Sequence, residues 1–147
     1  MTSLIFATHN SNKSKEIASL LPDFFQIINL SDLNYLTEIP ETENTLEGNA
    51  ILKANHVTEK YGYNCFADDS GLEVEALNKE PGVYSARYSG SRDSLENIQL
   101  VLAKLEGNPN RKARFKTVIS LMQDGKNHIF EGTIEGTIRT ALSGSKG

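Results

Sequence analysis

A chain of 147 residues is long enough for one domain with a sizeable core and too short to favour two ordinary domains. Its 38% hydrophobic and 23% charged residues fit a soluble globular protein, and no long uncharged run could span a bilayer, so no membrane partner is expected. Fifteen basic against nineteen acidic side chains give a formal charge of -4. That balance argues against broad nucleic-acid binding but leaves room for a local cationic pocket.

The start MTSLIFATHN lacks the basic opening and long apolar run of a signal peptide, so a cytoplasmic location is expected. The apolar run Ser3 to Ala7 predicts a strand, followed by the polar loop Thr8 to Lys13. Ile17, Leu20 and Leu21 at helical spacing predict a helix that ends at Pro22. Phe24 to Leu30 reads as a second strand. Leu46, Ala50, Ala54, Val57 and Tyr61 advance by three or four, with Gly62 as a stop, and define a second helix.

Asn64 to Ala67 predicts a short strand ending in a polar turn, Asp68-Asp69-Ser70-Gly71. The alternation of Leu72, Val74 and Ala76 with Glu73 and Glu75 predicts a half-exposed strand after it. Pro81-Gly82 signals a turn, and Asp93 can cap a helix through Leu95, Ile98, Val101, Leu102 and Leu105 that stops at Gly107. Ala113 to Gln123 and Asn127 to Ile134 flank Asp124-Gly125, a pair suited to a tight hairpin. The mixed order favours an α/β or α+β domain on a long, twisted mixed sheet.

The single cysteine, Cys65, reads as a small buried hydrophobe on a strand, and the scattered His9, His56 and His128 show no metal-binding spacing. Three other constellations carry chemistry. Thr8-His9-Asn10-Ser11-Asn12-Lys13 stands where a strand gives way to a helix, so free N–H groups and the Lys13 ammonium can face an anion. An ordinary capped helix with a solvated lysine is the bland alternative, and the glycines of a Walker loop are absent.

Glu41, in the acidic loop Pro40 to Glu43, precedes Asn49 and Lys53, which share a helical face. A carboxylate there can hold a cation while the lysine neutralises phosphate oxygens; the plainer reading is an acidic loop beside a solvated helix. Asp68 and Asp69 are adjacent acids whose repulsion water or a divalent cation must relieve.

In order and spacing these pieces resemble one family. The matching segments are Ala7-Thr8-His9-Asn10 with Lys13 and Glu16, Glu41 before Asn49-Ala50-Ile51-Leu52-Lys53-Ala54, Ala67 to Leu72, and Pro81 to Tyr88. Together they are similar to the inosine/xanthosine triphosphate pyrophosphatases, the Ham1-like family, as far as about Ile138. The resemblance implies an α/β fold of Maf/Ham1-type architecture with an elongated mixed sheet, a Mg2+ requirement, commonly a homodimer, and hydrolysis of non-standard purine nucleoside triphosphates to the monophosphate and pyrophosphate.

It also implies roles. Thr8, His9, Asn10, Ser11, Asn12 and Lys13 would hold the triphosphate. Lys53 and Ser70 would contact phosphate, and Glu41 and Asp69 would hold the metal. Asp69 would in addition be the catalytic proton acceptor, with Asp68 and Asn49 in support. The family pattern continues beyond a glycine-rich stretch like Ser143 to Gly147 into Phe-Gly-Tyr-Asp and Ser-His-Arg motifs. Neither lies within the 147 residues, so residues 1–147 are expected to be a single, C-terminally truncated pyrophosphatase domain. An inactive nucleotide-binding remnant is one alternative. A phosphoacceptor signalling domain is another, though it would place its acid pair after the first strand.

Overall fold

The computed structural model of the protein describes residues 2–35, 37 and 39–140; the glycine-rich stretch at 143–147 lies outside them. The chain divides into two compact units, Met1–Asp69 with Val118–Phe130, and Ser70–Thr117 with Glu131–Gly147. Five strands form a sheet in the order β2-β1-β3-β4-β5. They are β1 (Thr2–Phe6), β2 (Phe25–Asn29), β3 (Cys65–Val74), β4 (Lys112–Gln123) and β5 (Lys126–Thr137).

Strand β1 runs parallel to both neighbours, with Leu4 opposite Ile27 and Ile5 opposite Cys65. Parallel neighbours need a crossover, and the helices α1 (Ser11–Leu20) and α2 (Leu46–Tyr61) lie in the connections. Helix α2 forms where predicted. The Thr45 hydroxyl accepts from the Gly48 N–H at its start, and Gly62 ends it in the left-handed conformation at φ 71°. Its Ala50, Ala54 and Val57 are buried; Ala54 and Val57 join Ile5, Ala7, Leu30, Ile39, Cys65 and Ala67 in the core of the first unit.

Helix α1 departs from its predicted apolar face. Leu20 is 80% exposed and Ser14 is the buried residue of that helix, so cap bonds rather than an apolar stripe hold its start. A second departure concerns the acids. Residues 68–71 are not a turn between two strands but the middle of the continuous strand β3. In extended chain, successive side chains leave on opposite faces, which separates the Asp68 and Asp69 carboxylates without a cation. The alternation read through Ala76 also ends early, because Glu75–Leu77 form a 3-10 turn.

Glycine is required at position 71 by close approach of backbone. A Cβ placed there would stand 2.2 Å from the Gly82 carbonyl oxygen and 2.8 Å from its carbon, and Gly82 itself has φ 52°. Ser85 fixes the junction by donating to Gly82 O and accepting from Leu72 N. Backbone cannot swing aside as a side chain can. Gly71→Ala is therefore expected to lower stability by about 1–3 kcal/mol or more, measured as a lower midpoint in thermal denaturation.

Asp93 caps α3 (Ser94–Lys104), accepting from Leu95 N and Glu96 N, and Gly107 stands beyond its end at φ 74°. Leu95, predicted on the apolar face, is half exposed, whereas Asn97 and Val101 are buried. Val74, Val101 and Leu105 centre the core of the second unit. Asp124 and Gly125 join β4 to β5 at φ 52° and 79°, the conformation of a tight hairpin turn. Among the described residues no helix is long and apolar enough to cross a membrane.

Cys65 is fully buried, as its position predicts; its thiol donates to Ala54 O and lies 3.1 Å from the Thr58 hydroxyl. Burial raises its pKa above the ordinary thiol value, against a smaller lowering by the Thr58 hydrogen bonds. The fold thus favours the neutral thiol, and that preference costs nothing below the unfolded pKa of about 8.5. As pH rises past this value the unfolded chain ionises first and stability falls. Denaturant titrations should show a shallower loss above pH 9 in Cys65→Ala.

Candidate active site

The three polar constellations are built on the ends of β1 and α1, on the start of α2 and on β3. Asn10 is the N-cap of α1: its side-chain oxygen accepts from the N–H groups of Asn12 and Lys13, each at 3.1 Å. The Asn10 N–H in turn donates to the Thr8 hydroxyl at 3.1 Å. Three of the N–H groups expected to face an anion, those of Asn10, Asn12 and Lys13, are thus already occupied by the loop's own side chains. What the loop presents most directly is the Lys13 ammonium, while Thr8 and Asn10 give the loop its shape. Ser11 and Asn12 are exposed in the first turn of α1, and the His9 ring nitrogen Nε2 meets Thr37 O at 3.1 Å.

Asn49 is fully buried on α2, and its side-chain oxygen accepts from the Glu43 N–H at 3.0 Å. One hydrogen bond therefore pins the acidic loop to the helix that carries Lys53. Among the described residues the Asn49 Nδ2 group has no hydrogen-bond partner. Leaving such a buried donor unsatisfied costs roughly 1–3 kcal/mol, a cost more readily tolerated at a functional site than in ordinary core.

Lysines 13 and 53 converge on one residue. Lys13 Nζ donates to Asp68 Oδ2 at 2.6 Å, and Lys53 Nζ donates to the Asp68 carbonyl oxygen at 2.5 Å. Lys53 also reaches Glu41 Oε1 at 3.3 Å, so a single ammonium ties the acidic loop to the strand of the acid pair. The Lys53 side chain is only 13% exposed and that of Asp68 12%, against 42% for Lys13. The charges of Lys53 and Asp68 are therefore poorly screened by water, which strengthens their fields. Asp69 follows Asp68 on β3 and is half buried. The next residue, Ser70, opens the second unit, where its hydroxyl lies 2.9 Å from that of Thr117.

The donor chemistry suits a hard divalent cation. Glu41 and the acid pair supply carboxylate oxygens, and Lys53 ties Glu41 to the backbone of Asp68, one residue before Asp69. Among the described residues no group of three or more His, Cys, Asp or Glu side chains is placed to hold a metal. Mg2+ is commonly held by one or two carboxylates and completed by water and substrate phosphate, so a pair of carboxylates fits that mode.

Sequence reasoning found the lysines and the acids but missed how they pair. Nothing in the spacing shows that Lys13 meets Asp68 across 55 positions, or that Tyr35 lies beside His9 and His56. Such contacts come from the parallel pairing of β1 with β3 and from the packing of the 30–35 segment.

Comparison with known proteins agrees with the fold and the motif order. The Ham1 family profile matches residues 4–147. A dITP/XTP pyrophosphatase of Flavobacterium johnsoniae is 54% identical over 145 residues, covering 98% of this chain and 76% of that protein. Among solved structures, a HAM1 protein from Coxiella burnetii aligns with a TM-score of 0.92 and 38% identity, over all of this chain and 78% of that one. The Staphylococcus aureus Ham1 protein gives 0.90 and 38%, over 99% and 77%. A mixed five-stranded sheet with flanking helices, the ordered motifs and matches of this breadth lead to one conclusion: the chain belongs to the Ham1 family.

Proposed function

We propose that this protein hydrolyses non-canonical purine nucleoside triphosphates, dITP/ITP and XTP/dXTP, to the monophosphate and pyrophosphate, and so cleanses the nucleotide pool. The observation that carries the reading is the convergence of Lys13 and Lys53 on Asp68, one residue before Asp69. Two cations and neighbouring carboxylates are what a polyphosphate and its counter-cation require. Relatives named dITP/XTP pyrophosphatase supply the substrate class.

In this reading Glu41 and Asp69 hold Mg2+, which supplies charge neutralisation of the phosphate oxygens and polarisation of the phosphorus. Lys13 and Lys53 exchange their carboxylate and carbonyl partners for phosphate oxygens and fix the chain of phosphates in place. Asp69 accepts the proton of the attacking water. The new bond forms between that water oxygen and the α-phosphorus, the bond from the α-phosphorus to the bridging oxygen breaks, and pyrophosphate leaves with the electron pair. Thr8 and Asn10 keep the loop in shape, Asn49 holds the acidic loop, and Ser70 offers a hydroxyl to phosphate. A homodimer acting on the cytoplasmic nucleotide pool completes the proposal; light scattering tests the assembly.

Product analysis decides the reaction. Inosine triphosphate with Mg2+ should give inosine monophosphate and pyrophosphate in equal amounts. Release of single phosphates, or no turnover by folded protein, would overturn the reading in favour of another phosphatase chemistry or of a binding remnant.

A further inference from the structure

We propose that Tyr35 is a positioning residue for the triphosphate loop, acting through His9 to hold that loop in register with helix α2. The inference rests on the reading that Thr8 to Lys13 bind phosphate. It changes the role of His9 from a phosphate contact to the link between the loop and the tyrosine.

The His9 ring lies nearly parallel to that of Tyr35, 20° between planes and 6.2 Å between centroids, while its Nε2 meets the Thr37 carbonyl. His9 stands between Thr8 and the cap residue Asn10, so its placement sets the path of the chain into α1. The backbone reinforces this anchorage. Leu30 N–H donates to Thr8 O, and Tyr35 N–H donates to Leu30 O, each at 2.9 Å.

On its other side Tyr35 meets α2, besides packing against the core of the first unit. Its hydroxyl lies 2.8 Å from His56 Nε2, its ring meets the rings of His56 and Tyr61 edge-on, and the Lys60 ammonium stands 5.4 Å from its centroid. The same helix carries Lys53. Tyr35 therefore spans from the loop with one phosphate-binding lysine to the helix with the other. Two cations that must meet one polyphosphate need a fixed separation, since small misplacements of binding groups are costly. A tyrosine used only for packing would serve the core without contacting an exposed histidine of the loop.

The test uses His9→Ala, Tyr35→Leu, Tyr35→Phe and the His9→Ala/Tyr35→Leu double variant, with steady-state hydrolysis of inosine triphosphate and calorimetric binding of inorganic tripolyphosphate. Each of His9→Ala and Tyr35→Leu should raise KM and the tripolyphosphate Kd about tenfold, with a smaller change in kcat. The double variant should be no worse than either single one, because both remove the same link. Tyr35→Phe keeps the ring against His9 and Tyr61 but loses the hydroxyl bond to His56, so it should weaken binding by about two- to threefold, less than Tyr35→Leu.

If Tyr35→Leu fails to fold, His9→Ala with Tyr35→Phe still decides, since His9 is exposed. Unchanged binding in His9→Ala, or effects of the two substitutions that simply multiply, would overturn the proposal. Binding of tripolyphosphate without pyrophosphate release would sink the functional reading alone. No binding by the original protein would sink both.

Discussion

Asp69→Asn should leave a folded protein that has lost about 10²–10⁴-fold in turnover, the range that a positioned general base supplies. The substitution is nearly isosteric at a half-buried site on β3, so the thermal midpoint should stay close to that of the original protein. Under the proposed function it removes both a charge that would help hold the cation and the group that would accept the water proton. Pyrophosphate release at saturating substrate is the measurement. Because the loss falls on the chemical step, raising Mg2+ should recover only the part due to weaker metal binding. Turnover near the original rate would move the proton acceptor to another residue.

Lys53→Ala carries the second large effect. Lys53 is mostly shielded from water, and its ammonium binds both Glu41 and the Asp68 carbonyl. If it turns to phosphate in the transition state, its removal should cost roughly 3 kcal/mol, or about two hundredfold in kcat/KM, as for one preorganised donor to developing charge. A loss of stability should accompany the change, because the Asp68 carbonyl loses a donor and Glu41 a partner. Kinetics well below the melting temperature separate the two effects. Unaltered kcat/KM with a lowered midpoint would leave Lys53 as a structural tie.

The elements with strong local signals were legible in the sequence. Helix α2 is marked by its spacing, by Thr45 and by Gly62, and the β4–β5 hairpin by Asp124-Gly125, whose residues accept positive φ. The strand through Asp68 to Gly71 was not legible. Four polar and small residues read locally as a turn, whereas the register of β3 and the contact of Gly71 with Gly82 depend on distant chain. Leu20 misled for a similar reason: helical spacing shows which residues share a face, not that a core exists to receive them.

The candidate site divides in the same way. Lys13, Lys53 and the acids stand out as residue types, and the order of their motifs points to one family. Their pairing depends on three-dimensional placement, as does the capture of the Asn12 and Lys13 N–H groups by Asn10. A helix start offers donors in any sequence; whether a cap has already taken them is settled by the Asn10 rotamer.

The ion pairs Lys13–Asp68 and Lys53–Glu41 bear on inhibition. Each of the two lysines already has an internal counter-ion, so an anion that binds them, as the proposed function requires, must displace a carboxylate. Chloride or a single orthophosphate brings little charge with which to compete. A triphosphate can engage both lysines at once, and its counter-cation gives the displaced carboxylates a new partner. Under the proposed function these pairs would set a threshold of valency, so that small anions such as chloride compete weakly while a polyphosphate arriving with its metal displaces them.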